Sequence, residues 1–319
     1  MTSEERDAAS RRKLILDCDP GHDDAIAILL AGGHPAIRLL GITTVAGNAD
    51  ADKTAVNALK VCEVAGMHDI PVYAGASGPL VRERLPASAV HGESGMDGPD
   101  LPAPRKRLAD GHAVDFIISA LRESEGDVTL VAVGPLTNIA LALRKAPDIA
   151  GRLQEIVVMG GAFFGNKTPA AEFNIYNDPE AAKVVFECGA PLTMIGLELT
   201  HQAVATPQWL AEVARLPGAV PGFVTDLYRF VTESYKKVYG MDGAPIHDAC
   251  CVAYCIDPDM ITTKRCNVVI ETRGEFTSGM TVIDRGGVTG RAPNVNVADK
   301  LNGGRFWPML LETMASYDH

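Results

Sequence analysis

The sequence predicts an α/β fold: a single domain with a mainly parallel central sheet flanked by helices. Three observations carry this. Short runs of almost unbroken apolar residues recur, as strands do when both faces of a sheet are covered. Segments of helical periodicity alternate with them, the pattern of successive βα units. No Gly/Ser-rich linker, low-complexity tract or internal repeat divides the 319 residues, a length within reach of one large α/β unit.

The elements follow in order. Residues 1–13, MTSEERDAASRRK, are polar and lack an apolar core, so they read as a flexible tail and not as a signal peptide. That leaves 14–319 as the domain. Strands are expected at Leu14–Leu16, Leu39–Val45, Val128–Val133, Ile156–Met159 and Leu192–Ile195. Between them, helices are expected at Ala25–Ala31, Ala51–Ala65, Ala113–Arg122, Leu136–Ala146 and Pro179–Phe186. The C-terminal part reads as one helical stretch from Trp209 to Tyr239, strands at Val268–Ile270 and Met280–Ile283, and a terminal helix.

Composition sets limits on function. Hydrophobic residues make up 47% and charged residues 22%, which supplies a sizeable core. The net charge of −11 argues against nucleic acid or an anionic membrane as partner, and no apolar stretch is long enough to span a bilayer. The seven cysteines are an odd number without secreted-scaffold spacing. Cys250, Cys251 and Cys255 lack a paired CxxC and histidine partners, so they read as buried residues in a reducing cytoplasm and not as zinc ligands. The sequon Asn166-Lys167-Thr168 matters only in a secreted chain.

In folds of this kind ligands bind beyond the carboxyl ends of the strands. The loop after the first strand, DCDPGHDDA, places Asp17, Asp19, Asp23 and Asp24 within eight positions. Asp17 and Asp19 share a face if that stretch is extended. Pro20-Gly21 breaks the strand, and Asp23 and Asp24 open a helix, where the dipole favours carboxylates. Capping explains one or two of the four. Together they repel one another unless protonated or neutralised, and a hard cation with oxygen ligands resolves the conflict. No GxGxxG follows the first strand. GGAFFGNKT fails as a phosphate loop because Asn166 separates its last glycine from the lysine. Two further polar groups stand out. His247-Asp248 precedes an apolar helix, where Asp248 could be an ordinary N-cap and His247 a core histidine. AEFNIYNDPEAA carries Glu172 and Asn174 at i, i+2, groups suited to a polyol such as a sugar, with Asp178-Pro179 as a helix start.

Taken together, these segments resemble the inosine–uridine preferring nucleoside hydrolase family. LDCDPGHDDA resembles its signature, and HGESGM, GPLTNIA, VVMGGAF, AEFNIYNDPEAA and HDACCVAYCIDP resemble its other landmarks, in order, over residues 14 to about 317. The resemblance implies a Rossmann-like core and hydrolysis of the N-glycosidic bond of ribonucleosides to ribose and nucleobase. It implies a bound Ca²⁺, with Asp19, Asp24, Asp248 and the main-chain carbonyl of Val133 as ligands. Asp19 would also be the base for the attacking water, and Asn48 would orient that water. Asp23 and Asn174 would bind the ribose 2′- and 3′-hydroxyls, and Asn166 and Glu172 the 5′-hydroxyl. His247 would be the acid beside the leaving base, with Tyr235 a further candidate. His91, Met159 and Phe173 would line the substrate pocket, and YKKVYGMDGAPI (Tyr235 to Ile246) would lie over the base. A homo-oligomer, tetramer or dimer, is expected by the same resemblance. Asp17 is left to support the loop. Two rival readings are a metal-dependent phosphohydrolase of the DxD class, using Asp17 and Asp19, and a non-catalytic nucleoside-binding protein.

Overall fold

The computed structural model describes residues 11–85 and 87–317. Its strands are β1 (Arg12–Cys18), β2 (Ile37–Thr44), β3 (Val72–Ala74), β4 (Val128–Ala132), β5 (Leu153–Met159), β6 (Leu192–Ile195), β7 (Val204–Ala205), β8 (Ala244–Pro245), β9 (Ile261–Ile270), β10 (Thr281–Asp284) and β11 (Val295–Leu301). Nine form one sheet in the order β10-β9-β11-β6-β5-β4-β1-β2-β3. From β11 to β3 every pairing is parallel, and β9 joins antiparallel to β11 and β10. The short strands β7 and β8 pair separately.

The apolar runs are explained by burial on both faces. In β1, Leu14, Leu16 and Cys18 enter one core and Ile15 the other. In β5, Val157 and Met159 face the first core and Ile156 and Val158 the second. The helix His22–Gly33 is buried along most of its length because helices Ala249–Ile256 and Gly303–Ala315 cover it. That placement accounts for its uniformly apolar sequence.

Several expectations are corrected. Arg12 and Lys13 belong to β1, not to a tail: Arg12 donates to Thr129 Oγ1 (2.9 Å), Glu155 Oε2 (2.8 Å) and the Cys255 carbonyl (3.3 Å). Polar side chains at a strand end hid it from hydrophobic patterning. Residues 1–10 lie outside the described residues. The first helix starts at His22, before Ala25. The stretch from Trp209 to Tyr239 is two helices, Pro207–Val213 and Ala219–Tyr239, because Pro217 intervenes and Gly218 takes φ +101°. β11 was not foreseen, since VNVADKL alternates apolar with polar residues and lies beside the exposed-faced β9. Among the described residues, no helix is long and apolar enough to cross a membrane.

Strand order reverses between β1 and β4. The chain moves from β1 to β2 and β3 on one side, then returns to β4, β5 and β6 on the other. The crevice at such a switch point is where open α/β sheets bind ligands.

Candidate active site

Loops after β1, β2, β4 and β5 meet in a cleft of about 500 Å³ at this switch point. Asp23, Asn48, His91, Val133, Met159, Asn166, Glu172, Phe173, Asn174, Tyr235, His247 and Asp248 line it. Of the residues expected at the site, Asp19 and Asp24 lie behind this lining, both almost fully buried.

The aspartates divide their work. Asp17 Oδ1 accepts from Thr43 Oγ1 (2.5 Å) and Asn138 Nδ2 (2.8 Å). Asn138 also donates to the Thr44 carbonyl and accepts from the Ala76 N–H, so this network ties β1, β2 and the helix Thr137–Lys145 together. Burial pushes the Asp17 carboxyl up to about 7, against the pull of both donors. Asp24 reaches back over the first turn of its helix. Its Oδ1 accepts from the Asp19 N–H (3.0 Å), and its Oδ2 from the Gly21 N–H (2.9 Å) and Asn48 Nδ2 (3.2 Å). Capping thus holds for Asp24, and it fixes the loop.

Asp19 Oδ2 accepts from the Asn48 N–H at 2.6 Å, while its buried Oδ1 has no partner among the described residues. Burial and the adjoining Asp24 raise this carboxyl well above the usual range. Two glycines make the room: a β-carbon on Gly47 would fall 2.1 Å from Asp19 Oδ2, and one on Gly134 2.5 Å from Oδ1. The glycines of VAGN and GPLTN are therefore parts of the Asp19 pocket.

Asp248 begins the helix Ala249–Ile256 but makes no side-chain cap bond. Its carboxylate turns to Asp23 and Asp24, and one oxygen of each lies within 4.8 Å of the others. Burial, then the neighbouring Asp23 and Asp24, push Asp248 well up. Burial and Asp24 push Asp23 up to about 8. Such a group of carboxylates favours protonation or a cation. The trio contains Asp23 where the expected ligand set had Asp19. The unpartnered Asp19 oxygen and the all-oxygen donors nonetheless fit a hard divalent ion.

At the same cleft, His247 Nε2 lies 3.0 Å from the Tyr235 hydroxyl and Nδ1 2.7 Å from Thr200 Oγ1. Burial, reinforced by His201, holds the His247 imidazole down to about 3. Burial likewise lifts the Tyr235 phenol well above its ordinary value. Both shifts favour the neutral forms of the two groups.

The sequence of the whole site matches a known pattern. The profile described as "Inosine-uridine preferring nucleoside hydrolase" aligns with residues 14–308. The chain belongs to this family. The pyrimidine-specific ribonucleoside hydrolase RihB of Escherichia coli O1:K1 is 47% identical over 308 residues, covering 96% of this chain and 98% of that protein. Among solved structures, a purine-preferring ribonucleoside hydrolase from Gardnerella vaginalis superposes with a TM-score of 0.90 at 33% identity, covering 96% and 99% of the two chains. The plant nucleoside hydrolase PpNRh1 superposes with a TM-score of 0.88 at 33% identity, covering 95% and 99%. The protein is thus a ribonucleoside hydrolase of α/β fold.

Within this hydrolase, several expected substrate groups are already engaged. Glu172 caps the helix Phe173–Asn177: Oε1 accepts from the Asn174 N–H (2.8 Å), and Oε2 from the Ile175 and Gly161 N–H groups (3.1 and 3.0 Å). Asn166 Oδ1 accepts from the Phe173 N–H, and Asn174 Nδ2 donates to the carbonyls of Val133 (2.8 Å) and Met159 (3.2 Å). Asn48 Nδ2 donates to the Asp19 carbonyl as well as to Asp24. Asp178 caps its helix through the Ala181 N–H, as its Asp-Pro sequence indicated.

Sequence reasoning missed Thr200, Asn138 and Tyr239. The i, i+4 spacing of Tyr235 and Tyr239 was the available signal: their rings stand 5.1 Å apart and both line the cleft. Asp17 is fully buried behind the loop and does not line the cleft, so although its Oδ2 is unpartnered it is not placed as the nucleophile the DxD phosphohydrolase reading needs.

Proposed function

We propose that the protein is a Ca²⁺-dependent hydrolase of ribonucleosides with a preference for pyrimidine nucleosides. The preference rests on the 47% identity to a pyrimidine-specific relative, against 33% to a purine-preferring one. The observation that carries the chemistry is that a carboxylate cluster and a histidine–tyrosine pair meet at one cleft. Asp19, Asp24, Asp248 and the Val133 carbonyl would hold the cation, which when bound lowers the pKa of water.

The remaining steps belong to the chain's own residues. Asp19, with one oxygen held by the Asn48 N–H and the other unpartnered, takes the proton from the attacking water. The water oxygen bonds to C1′ as the bond from C1′ to the base nitrogen breaks. The electron pair leaves with the base, and the ribose becomes oxocarbenium-like in between. Asp23 binds the 2′- and 3′-hydroxyls with Asn174, whose Nδ2 is anchored to Val133 and Met159 so that its Oδ1 is set in place. The surrounding carboxylates stabilise the developing positive charge. His247, with Tyr235 hydrogen-bonded to it as the further candidate, gives the proton to the departing base.

The experiment is nucleoside hydrolysis by wild type and Asp19→Ala, with nucleoside binding measured on both. Turnover collapses in Asp19→Ala while binding persists. Binding without turnover by the wild type would instead support a non-catalytic nucleoside-binding protein.

A further inference from the structure

The peptide unit between Gly47 and Asn48 is held from both ends. Its N–H, on Asn48, donates to Asp19 Oδ2 at 2.6 Å. Its carbonyl, on Gly47, accepts from Arg84 Nη1 at 3.1 Å. Arg84 Nη2 pairs with the carboxylate of Asp50, which stands at the N-cap of the helix Ala51–Val64 but makes no cap bond through its side chain. The side chain of Arg84 is 19% exposed and that of Asp50 58%, so the guanidinium reaches inward from a pair whose acidic end lies in water.

Glycine leaves this peptide unit free to turn. Position 47 carries no side chain because a β-carbon there would fall 2.1 Å from Asp19 Oδ2. The same lack of a β-carbon removes the steric limits on rotation of the peptide that follows. Among the described residues, Arg84 is the donor that holds the Gly47 carbonyl. A guanidinium is a charged donor, and a carbonyl so bonded makes the N–H of its own peptide a stronger donor. The segment that carries Arg84 is anchored by other residues. The Ala76 N–H donates to Asn138 Oδ1 (2.8 Å), the Leu80 N–H to Asp178 Oδ2 (2.9 Å) and the Leu85 N–H to Asn177 Oδ1 (3.1 Å), while Arg82 forks onto the Glu180 carboxylate. Loss of Arg84 therefore releases the peptide and not the segment. The ion pair with a largely exposed Asp50 adds little to stability.

We propose that Arg84 is a positioning residue: by holding the Gly47 carbonyl it keeps the Asn48 N–H on Asp19 Oδ2, and so fixes the carboxylate that takes the proton from the attacking water. The inference rests on the reading of Asp19 as the base.

Three variants of the full-length Ca²⁺-loaded protein separate this from a role in anchoring the segment. Arg84→Met keeps the apolar stem and removes every donor. Arg84→Lys keeps a charged donor. Asp50→Asn keeps an acceptor for Arg84 but removes the ion pair. The readouts are the amide proton resonance of Asn48 in substrate-free protein labelled with ¹⁵N-asparagine, and kcat and KM for uridine. In Arg84→Met the Asn48 amide proton moves upfield as its bond to Asp19 lengthens, and kcat falls roughly 10- to 100-fold with KM unchanged. Arg84→Lys recovers part of both. Asp50→Asn leaves both as in the wild type. An Asn48 resonance that does not move in Arg84→Met overturns the proposal, and so does an unchanged kcat. An Asp50→Asn variant as impaired as Arg84→Met also overturns it, because that is the pattern of an ion pair that merely anchors the segment. Absence of turnover in the wild type would sink the hydrolase reading alone, because the Asn48 resonance is read without substrate.

Discussion

Replacing Gly134 by alanine presses first on Asp19 and less closely on Val45. Gly134 does not adopt a positive φ, so its backbone accepts an L side chain. The new β-carbon would fall 2.5 Å from Asp19 Oδ1, 3.0 Å from its Cγ and 3.1 Å from Val45 Cγ1, where ordinary contact begins at 3.4 Å. Relief takes a retreat of roughly 0.9 Å by the carboxylate, and misplacing a reacting group by about 1 Å lowers a rate on the order of 100-fold. The assay is kcat/KM for uridine and inosine, with thermal unfolding measured in parallel. Gly134→Ala loses about 100-fold in kcat/KM and about 1–3 kcal/mol of stability, and remains folded at the assay temperature. Gly222→Ala is the control: this exposed glycine within the helix Ala219–Tyr239 has nothing within 4 Å of the added carbon. It keeps full activity and gains about 0.5–1 kcal/mol of stability. A Gly134→Ala enzyme with wild-type kcat/KM would refute the assignment of Asp19 as the base held in a glycine-lined pocket.

Other perturbations probe separate parts of the account. Arg12→Ala removes three hydrogen bonds and the ionic partner of Glu155, and lowers stability in urea denaturation by about 1–3 kcal/mol. An unchanged midpoint would show that Arg12 is not integral to β1. Tyr235→Phe deletes the hydroxyl that meets His247 Nε2 and lowers kcat by about 10²-fold or more. Equal kcat values would remove Tyr235 from proton delivery. Prolonged chelation lowers the melting temperature, because clustered buried carboxylates lose their counter-charge. Returning Ca²⁺ at 100 times its dissociation constant restores about 2.7 kcal/mol. A melting temperature indifferent to both steps would contradict a cation at this site.

The legible part of the fold was its parallel half. Strands β1, β4, β5 and β6 are buried on both faces, so their apolar runs stand out from their surroundings. β11 and most of β9 interleave polar side chains, which weakens the same signal. At the site, residue identity was legible because carboxylates crowded at a strand end need an explanation. Hydrogen-bond partners were not. Asp17 reads like Asp19 in sequence and each keeps one unpartnered oxygen, yet the other oxygen of Asp17 is held by Thr43 and Asn138 behind the loop, while that of Asp19 is held by the N–H of Asn48, which lines the cleft. The partner that separates them, Asn138, lies more than a hundred residues away and is brought near only by the adjacency of β1 and β4. Asp248 read equally well as a cap, and only its place beside Asp23 and Asp24 shows that it does not cap.

The most direct measurement is the release of free nucleobase and ribose by the purified Ca²⁺-loaded protein from uridine, cytidine, inosine, adenosine and guanosine. The account predicts equimolar base and ribose, with kcat/KM higher for uridine and cytidine than for the purine nucleosides. It is contradicted if none of the five is cleaved, or if the protein releases phosphate from nucleotides while leaving every N-glycosidic bond intact.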